Sequence, residues 1–258
     1  MKKSTAAILL LCQISLPLAL QADTISKKAG QFDYYTLALS WQAAFCESMQ
    51  RKPECQSQND KQFSAYNFVL HGLWPNVKGD KHHQYGYCHV PKHIVKKDKN
   101  RQWCNTPRLN LSDEERERLS KFMPGSVSCL QRHEWYKHGS CSGLSDNDYF
   151  ALSNRLVKKF SETRFSQYVK DNVGKYVKRN SLLKMFDKEF GKGSRAYLAL
   201  RCRKVRGTSL LTEIQIHLKK NLSISNLSDF RNIFPEEKLK IHGTCPRRFK
   251  IDEVGVAN

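Results

Sequence analysis

Thr212-Glu213-Ile214-Gln215-Ile216-His217-Leu218 places an apolar or β-branched residue at every second position. Alternation at period two is the pattern of a strand with one buried face. Tyr35, Leu37, Leu39 and Trp41 repeat it against Thr36, Ala38 and Ser40, and Asn67 to Leu70 reads as a shorter strand ending at His71. Ala196 to Cys202 is the expected antiparallel neighbour of the first stretch, across a turn at Gly207. Helical signals fill the middle of the chain. Ser112 is an N-cap for a helix over Asp113 to Phe122, with acids in its first turn and a stop at Pro124 and Gly125. Ser145 caps a second helix running to about Phe160, and shorter helices are expected near Phe165 to Lys170 and Ser181 to Phe190. Strands early, helices in the middle and strands late predict an α+β fold, an antiparallel sheet with helices packed on it.

The chain of 258 residues shows no Pro/Gly/Ser linker and no repeat. One large domain over 23–258, with a core of its own, is the expectation. Ahead of it, Lys2 and Lys3 precede an apolar run from Ala6 to Leu20, and Ala22 is a small residue suited to cleavage. This is the pattern of a secretory signal peptide over 1–22. A membrane anchor needs ~20 apolar residues, whereas this run is shorter and interrupted by Gln13 and Ser15. No membrane anchor is expected, and the destination is periplasmic or secreted.

Cys12 leaves with the leader and has no small residue before it, which argues against a lipoprotein. The remaining eight, Cys46, Cys55, Cys88, Cys104, Cys129, Cys141, Cys202 and Cys245, are an even set in an exported chain and predict four disulfides. Formal charge is +20, or +18 once Lys2 and Lys3 are gone. Basic clusters stand at Lys96, Lys97, Lys99 and Arg101, at Lys158 and Lys159, at Lys219 and Lys220, and at Arg247, Arg248 and Lys250. Each alone reads as a solvated face. Together they form a positive envelope that attracts polyanions in a salt-sensitive way.

Two short segments concentrate chemistry: His71-Gly72-Leu73-Trp74-Pro75 and His133-Glu134-Trp135-Tyr136-Lys137-His138-Gly139. A helix over Ser128 to His138, ended by Gly139, would put His133 one turn from Lys137 and Glu134 one turn from His138, all four on one stripe. Trp135 would face the core. His71, at a strand end before a glycine, would aim into a cleft. Imidazoles with ordinary pKa near ~6.5 suit proton transfer at neutral pH, and a lysine beside them suits developing negative charge.

The same two segments, in this order and without a gap, resemble the paired signatures of the ribonuclease T2 family, and with the leader its bacterial periplasmic kind. The likeness runs from Tyr34 to Cys245. It implies that family's α+β fold and the disulfides Cys46–Cys55 and Cys202–Cys245, while Cys141 is expected to join Cys88 or Cys104. It also implies metal-independent cleavage of single-stranded RNA through the 2′-hydroxyl to 2′,3′-cyclic phosphates, then slowly to 3′-phosphates, with broad base tolerance. The catalytic set carried over is His71, His133, Glu134, Lys137 and His138. His138, oriented by Glu134, is the expected base and His71 the expected acid, with Lys137 and His133 on the non-bridging oxygens. The substrate is RNA, no cofactor is implied, and a monomer is expected. DNA lacks the nucleophile and would at most inhibit.

For the bases, Trp74 is the candidate stacking platform and Asn76 a candidate hydrogen-bonding partner. His82, His83, Cys88, His89 and His93 crowd potential ligands into twelve residues. An exported cysteine is more often in a disulfide, however, and the spacing fits no common zinc finger, so no metal site is expected there. Asn110, Asn221 and Asn226 begin glycosylation acceptor triplets, discounted for a bacterial leader. The competing expectation is a non-catalytic cationic protein that holds RNA or an anionic envelope surface, a role with no need of all five polar groups.

Overall fold

The computed structural model describes residues 28–80, 84–222, 230–237, 239 and 241–255. The leader over 1–22, His82, His83 and Asn226 lie outside them. In chain order the regular elements are β1 (Tyr34–Ser40), α1 (Gln42–Ser48), α2 (Pro53–Gln56), β2 (Val69–Asn76), α3 (Lys92–Lys99) and α4 (Asp113–Phe122). They continue with α5 (Leu130–Lys137), α6 (Asp146–Ser161), α7 (Arg164–Lys170), β3 (Tyr176–Lys178), α8 (Arg179–Phe190), β4 (Leu198–Val205), β5 (Thr208–Lys219) and β6 (Arg248–Lys250).

The expected strands form one sheet. β1 lies between β2 and β5, both antiparallel to it, and β4 pairs antiparallel with β5 through a two-residue turn at Arg206 and Gly207. Both turn residues have positive φ, 45° and 86°, the twist that suits a tight hairpin. The sheet is mixed, because β6 runs parallel to β5 at Leu210 and carries β3 at the far edge. Leu37, Leu39, Ile214, Ile216 and Leu218 are buried as their alternation requires, but the expected solvent face of β1 is covered as well, with Thr36 and Ala38 also buried. On the core side, Phe160, Phe165, Phe186 and Phe190 from α6, α7 and α8 pack ring against ring at centroid distances of 4.4–6.2 Å. Each such side chain contributes roughly 1.5–3 kcal/mol on burial.

Ser112 and Ser145 cap α4 and α6 as expected, accepting from the amides of Glu115 and Asp148. Two expectations about the motif segments change. The strand that was to end at His71 continues to Asn76, with His71 inside it. Ala38 pairs with Gly72 and Leu39 with Leu70, so His71 is the extra residue of a β-bulge. Pro75 is tolerated because β2 is an edge strand. The helix expected over Ser128 to His138 is α5, Leu130–Lys137; it starts at Leu130 because Cys129 sits at φ 60° and breaks it from a 3-10 turn over Pro124–Ser128.

The pairing left open among the cysteines is Cys88–Cys141 and Cys104–Cys129, beside Cys46–Cys55 and Cys202–Cys245. Both central bridges act on α5. Cys104–Cys129 ties its start to the turn at Trp103–Asn105, and Cys88–Cys141 ties its end to the loop before α3, where the Tyr87 amide also donates to the Lys137 carbonyl at 2.9 Å. Cys88 and Cys141 are 53 residues apart. Replacing both by alanine is expected to cost about 4 kcal/mol through unfolded-chain entropy. Denaturant unfolding checks this, and an unchanged midpoint would contradict it.

Candidate active site

The bulge aims the His71 ring out of the sheet, in keeping with the use of such irregularities to redirect side chains. Its Nδ1 lies 2.6 Å from Glu213 Oε2, and its Nε2 lies 3.6 Å from Glu134 Oε1. Crowding by protein atoms works against charge on this ring, as does Lys137. The hydrogen bond to Glu213 and the charges of Glu134 and Glu213 outweigh both, raising His71 to about 9. Burial pushes Glu213 up, but the bond and charge of His71, the Gln215 amide and Arg201 bring it below its usual range. The pair is therefore imidazolium and carboxylate at neutral pH.

Glu134 is buried at 1% exposure, on the stripe of α5 that also carries His133. Its Oε2 accepts from Trp74 Nε1 at 2.7 Å. Its Oε1 has no hydrogen-bond partner, and stands 3.6 Å from His71 Nε2 and 3.9 Å from His133 Nε2. Gly72 makes this possible, since a methyl group there would overlap both Glu134 Oε2 and Trp74 Nε1. Gly139 has a comparable role rather than a left-handed helix stop: a methyl group on it would overlap the Trp135 ring, which packs on Tyr149 in the core.

The two motifs meet on one indole. His138 stacks on Trp74 with centroids 5.3 Å apart and planes at 30°, and His71 meets the same ring edge-on at 5.3 Å. His133 stands perpendicular to His138 at 6.2 Å and stacks on Trp103 at 4.7 Å. Lys52 covers the Trp103 ring at 5.1 Å. His133 Nδ1 is held at 3.0 Å from both oxygens of Asp98, which also accepts from the Tyr87 hydroxyl at 2.6 Å. Lys137, the last residue of α5, lines the same cavity as His71, His133 and Glu213.

Trp74, expected to stack a base, thus has its N–H committed to Glu134 and one face to His138. Asn76 donates to Thr36 Oγ1 and to the Trp74 carbonyl, bonds internal to the sheet. Cys88 is in a disulfide, and His89 and His93 are exposed. Among the described residues, the group with metal-ligand geometry is His133, Glu134 and His138, whose ligand atoms lie within 4.8 Å of one another. Sequence reading missed Glu213, Asp98 and Trp103. The one trace of Glu213 was a polar run, Glu213, Gln215 and His217, on one side of β5.

The ribonuclease T2 family model matches residues 32–230, which hold all of these groups. The chain belongs to the ribonuclease T2 family. By that membership it is an endoribonuclease. Ribonuclease I of Escherichia coli is 33% identical over 254 residues, covering 92% of this chain and 91% of that protein. A ribonuclease of Aeromonas hydrophila is 35% identical over 152 residues, 59% of this chain and 57% of that one. Among solved structures, the self-incompatibility SF11-RNase of Nicotiana alata superposes with a TM-score of 0.55 at 22% identity, over 84% of this chain and 95% of that chain. This last likeness bears on the fold of the ribonuclease T2 family alone.

Proposed function

We propose that the chain is an exported endoribonuclease that cuts single-stranded RNA by attack of the 2′-hydroxyl on the adjacent phosphorus. The products are 2′,3′-cyclic phosphates, opened slowly to 3′-phosphates, with broad base tolerance. The observation that carries this reading is the meeting of His71 and His138 on one indole, with Lys137 and His133 beside them.

His138 takes the proton of the 2′-hydroxyl as a neutral imidazole. The 2′-oxygen attacks, and the bond to the 5′-oxygen breaks as His71 Nε2 donates its proton there. Glu213 keeps that proton on His71 and fixes the ring through Nδ1. Lys137 and His133 face the non-bridging oxygens as charge grows on them, each donor contributing roughly 3 kcal/mol when well placed. Asp98 and Trp103 hold His133, while Glu134 and Trp74 position the rings around them. In the second step water replaces the 5′-hydroxyl and the two histidines exchange roles. Every group comes from one chain, so a monomer suffices. Export is supported by the leader pattern and by four disulfides, which belong to an oxidising compartment. Among the described residues no helix is long and apolar enough to cross a membrane.

Digestion of RNA by the purified mature chain in EDTA, with end-group analysis, tests the reading. Cyclic phosphate ends and intact DNA are expected. Cleavage that stops in the chelator and returns with zinc would overturn it in favour of the His133, Glu134 and His138 group.

The raised His71 gives a second expectation. An acid must be protonated, so kcat/KM should hold on the alkaline side until pH rises through about 9. Glu213→Gln removes the paired charge, and the alkaline limb should fall toward the ordinary histidine value of ~6.5. A limb at the same pH in both proteins would contradict the pairing.

A further inference from the structure

The cavity lined by His71, His133 and Lys137 is larger than one phosphodiester needs, at about 990 Å³. From Lys137 and Glu213 it extends to Met49 and Arg203, and it shares Ser48, Met49, Lys52 and Ser128 with an adjoining groove bordered by Arg51. Arg201 pairs across the sheet with Glu213 and donates to Gln215. Arg203 lies two residues further along β4, roughly 6.6 Å at the usual strand rise, and donates to Ser48. Among the described residues no carboxylate forms an ion pair with Arg51, Lys52 or Arg203. The acids nearby are engaged or peripheral: Glu213 holds His71, buried Glu54 accepts from Ser128, and Glu47 borders the outer groove.

We propose that this arm is a phosphate-tracking subsite for the leaving strand, the RNA on the 3′ side of the cut. Arg203 and Arg51 contact backbone phosphates beyond the scissile one. The direction rests on the assignment of His71 as acid. The 5′-oxygen it protonates is the first atom of the 3′ strand, and His71 is held by Glu213, directly across the sheet from Arg201. A strand leaving from that side runs along β4 past Arg203. A cationic groove that follows the backbone without reading bases is a general mode of single-strand binding, and it accords with broad base tolerance.

The test compares wild type with the double variant Arg51→Gln, Arg203→Gln on three substrates. These are a dinucleoside monophosphate, the same dinucleotide extended by several nucleotides on its 3′ side, and one extended on its 5′ side. Neither residue touches the rings. The expected result is unchanged kcat/KM on the dinucleotide and the 5′-extended substrate, and a loss of about 10-fold at low salt on the 3′-extended one. The salt slope on that substrate should shrink by about 0.7 per phosphate contact removed. A conservative Arg51→Lys, Arg203→Lys variant should recover most of the loss. Equal loss on the dinucleotide, loss that follows the 5′ extension, or no loss anywhere would overturn the subsite. Failure of the wild type to cleave the dinucleotide would instead count against the catalytic reading.

Discussion

His71→Ala is expected to lower kcat for RNA cleavage at neutral pH by about 10³- to 10⁴-fold, the upper range for a lost general acid. The leaving 5′-oxygen would depart as an alkoxide, without the proton that the ring held by Glu213 supplies. KM should change little, because the phosphate contacts proposed for Lys137 and His133 are left in place. Stability should drop modestly. Glu213, 16% exposed, is left without its main partner, a loss of about 1–3 kcal/mol for a desolvated acceptor. Steady-state kinetics on a dinucleotide, with an unfolding curve for each protein, check both parts. Activity within about tenfold of wild type would remove His71 from the chemistry.

Lys137→Ala is expected to cost about 10²- to 10³-fold in kcat, the usual loss for one donor aimed at developing charge. The backbone should not move, since the Lys137 carbonyl still accepts from the Tyr87 amide and Cys88–Cys141 still ties the segment. A second effect separates this residue from a merely structural one. Lys137 opposes the charge on His71, so its removal raises His71 further and the alkaline limb of kcat/KM should move to higher pH. A variant of near-normal rate with the limb unmoved would contradict the placement of Lys137 beside the reacting phosphate.

What could be read without coordinates follows from where the physics is local. Alternation in Thr212–Leu218 and Tyr35–Trp41 depends on one strand's two faces, and the caps at Ser112 and Ser145 depend on a hydroxyl three residues from an amide. Both are written in adjacent residues. The site was legible as far as its two segments carry it. The bulge at His71 was not, because it is a property of the pairing with Ala38 and Leu39. Glu213 and Asp98 were hidden for a related reason. Glu213 occupies the polar side of an alternating strand, which looks solvated until the cavity is seen to lie over it. Asp98 sits among Lys96, Lys97 and Lys99 and looks like one charge of an exposed helix, yet its side chain is 1% exposed beneath His133. The disulfides that tie the segments flanking Asp98 to α5 are contacts at long range, and spacing alone does not select them.

The central claim is that two imidazoles from distant segments act on one phosphodiester, with His71 serving the leaving group. A dinucleotide whose bridging 5′-oxygen is replaced by sulfur tests it directly, because a thiolate, with its ordinary pKa near ~8.5, leaves without a proton. On this substrate His71→Ala should recover most of the wild-type cleavage rate while His138→Ala stays inactive. Rescue of His138→Ala instead, or of neither variant, would contradict the account.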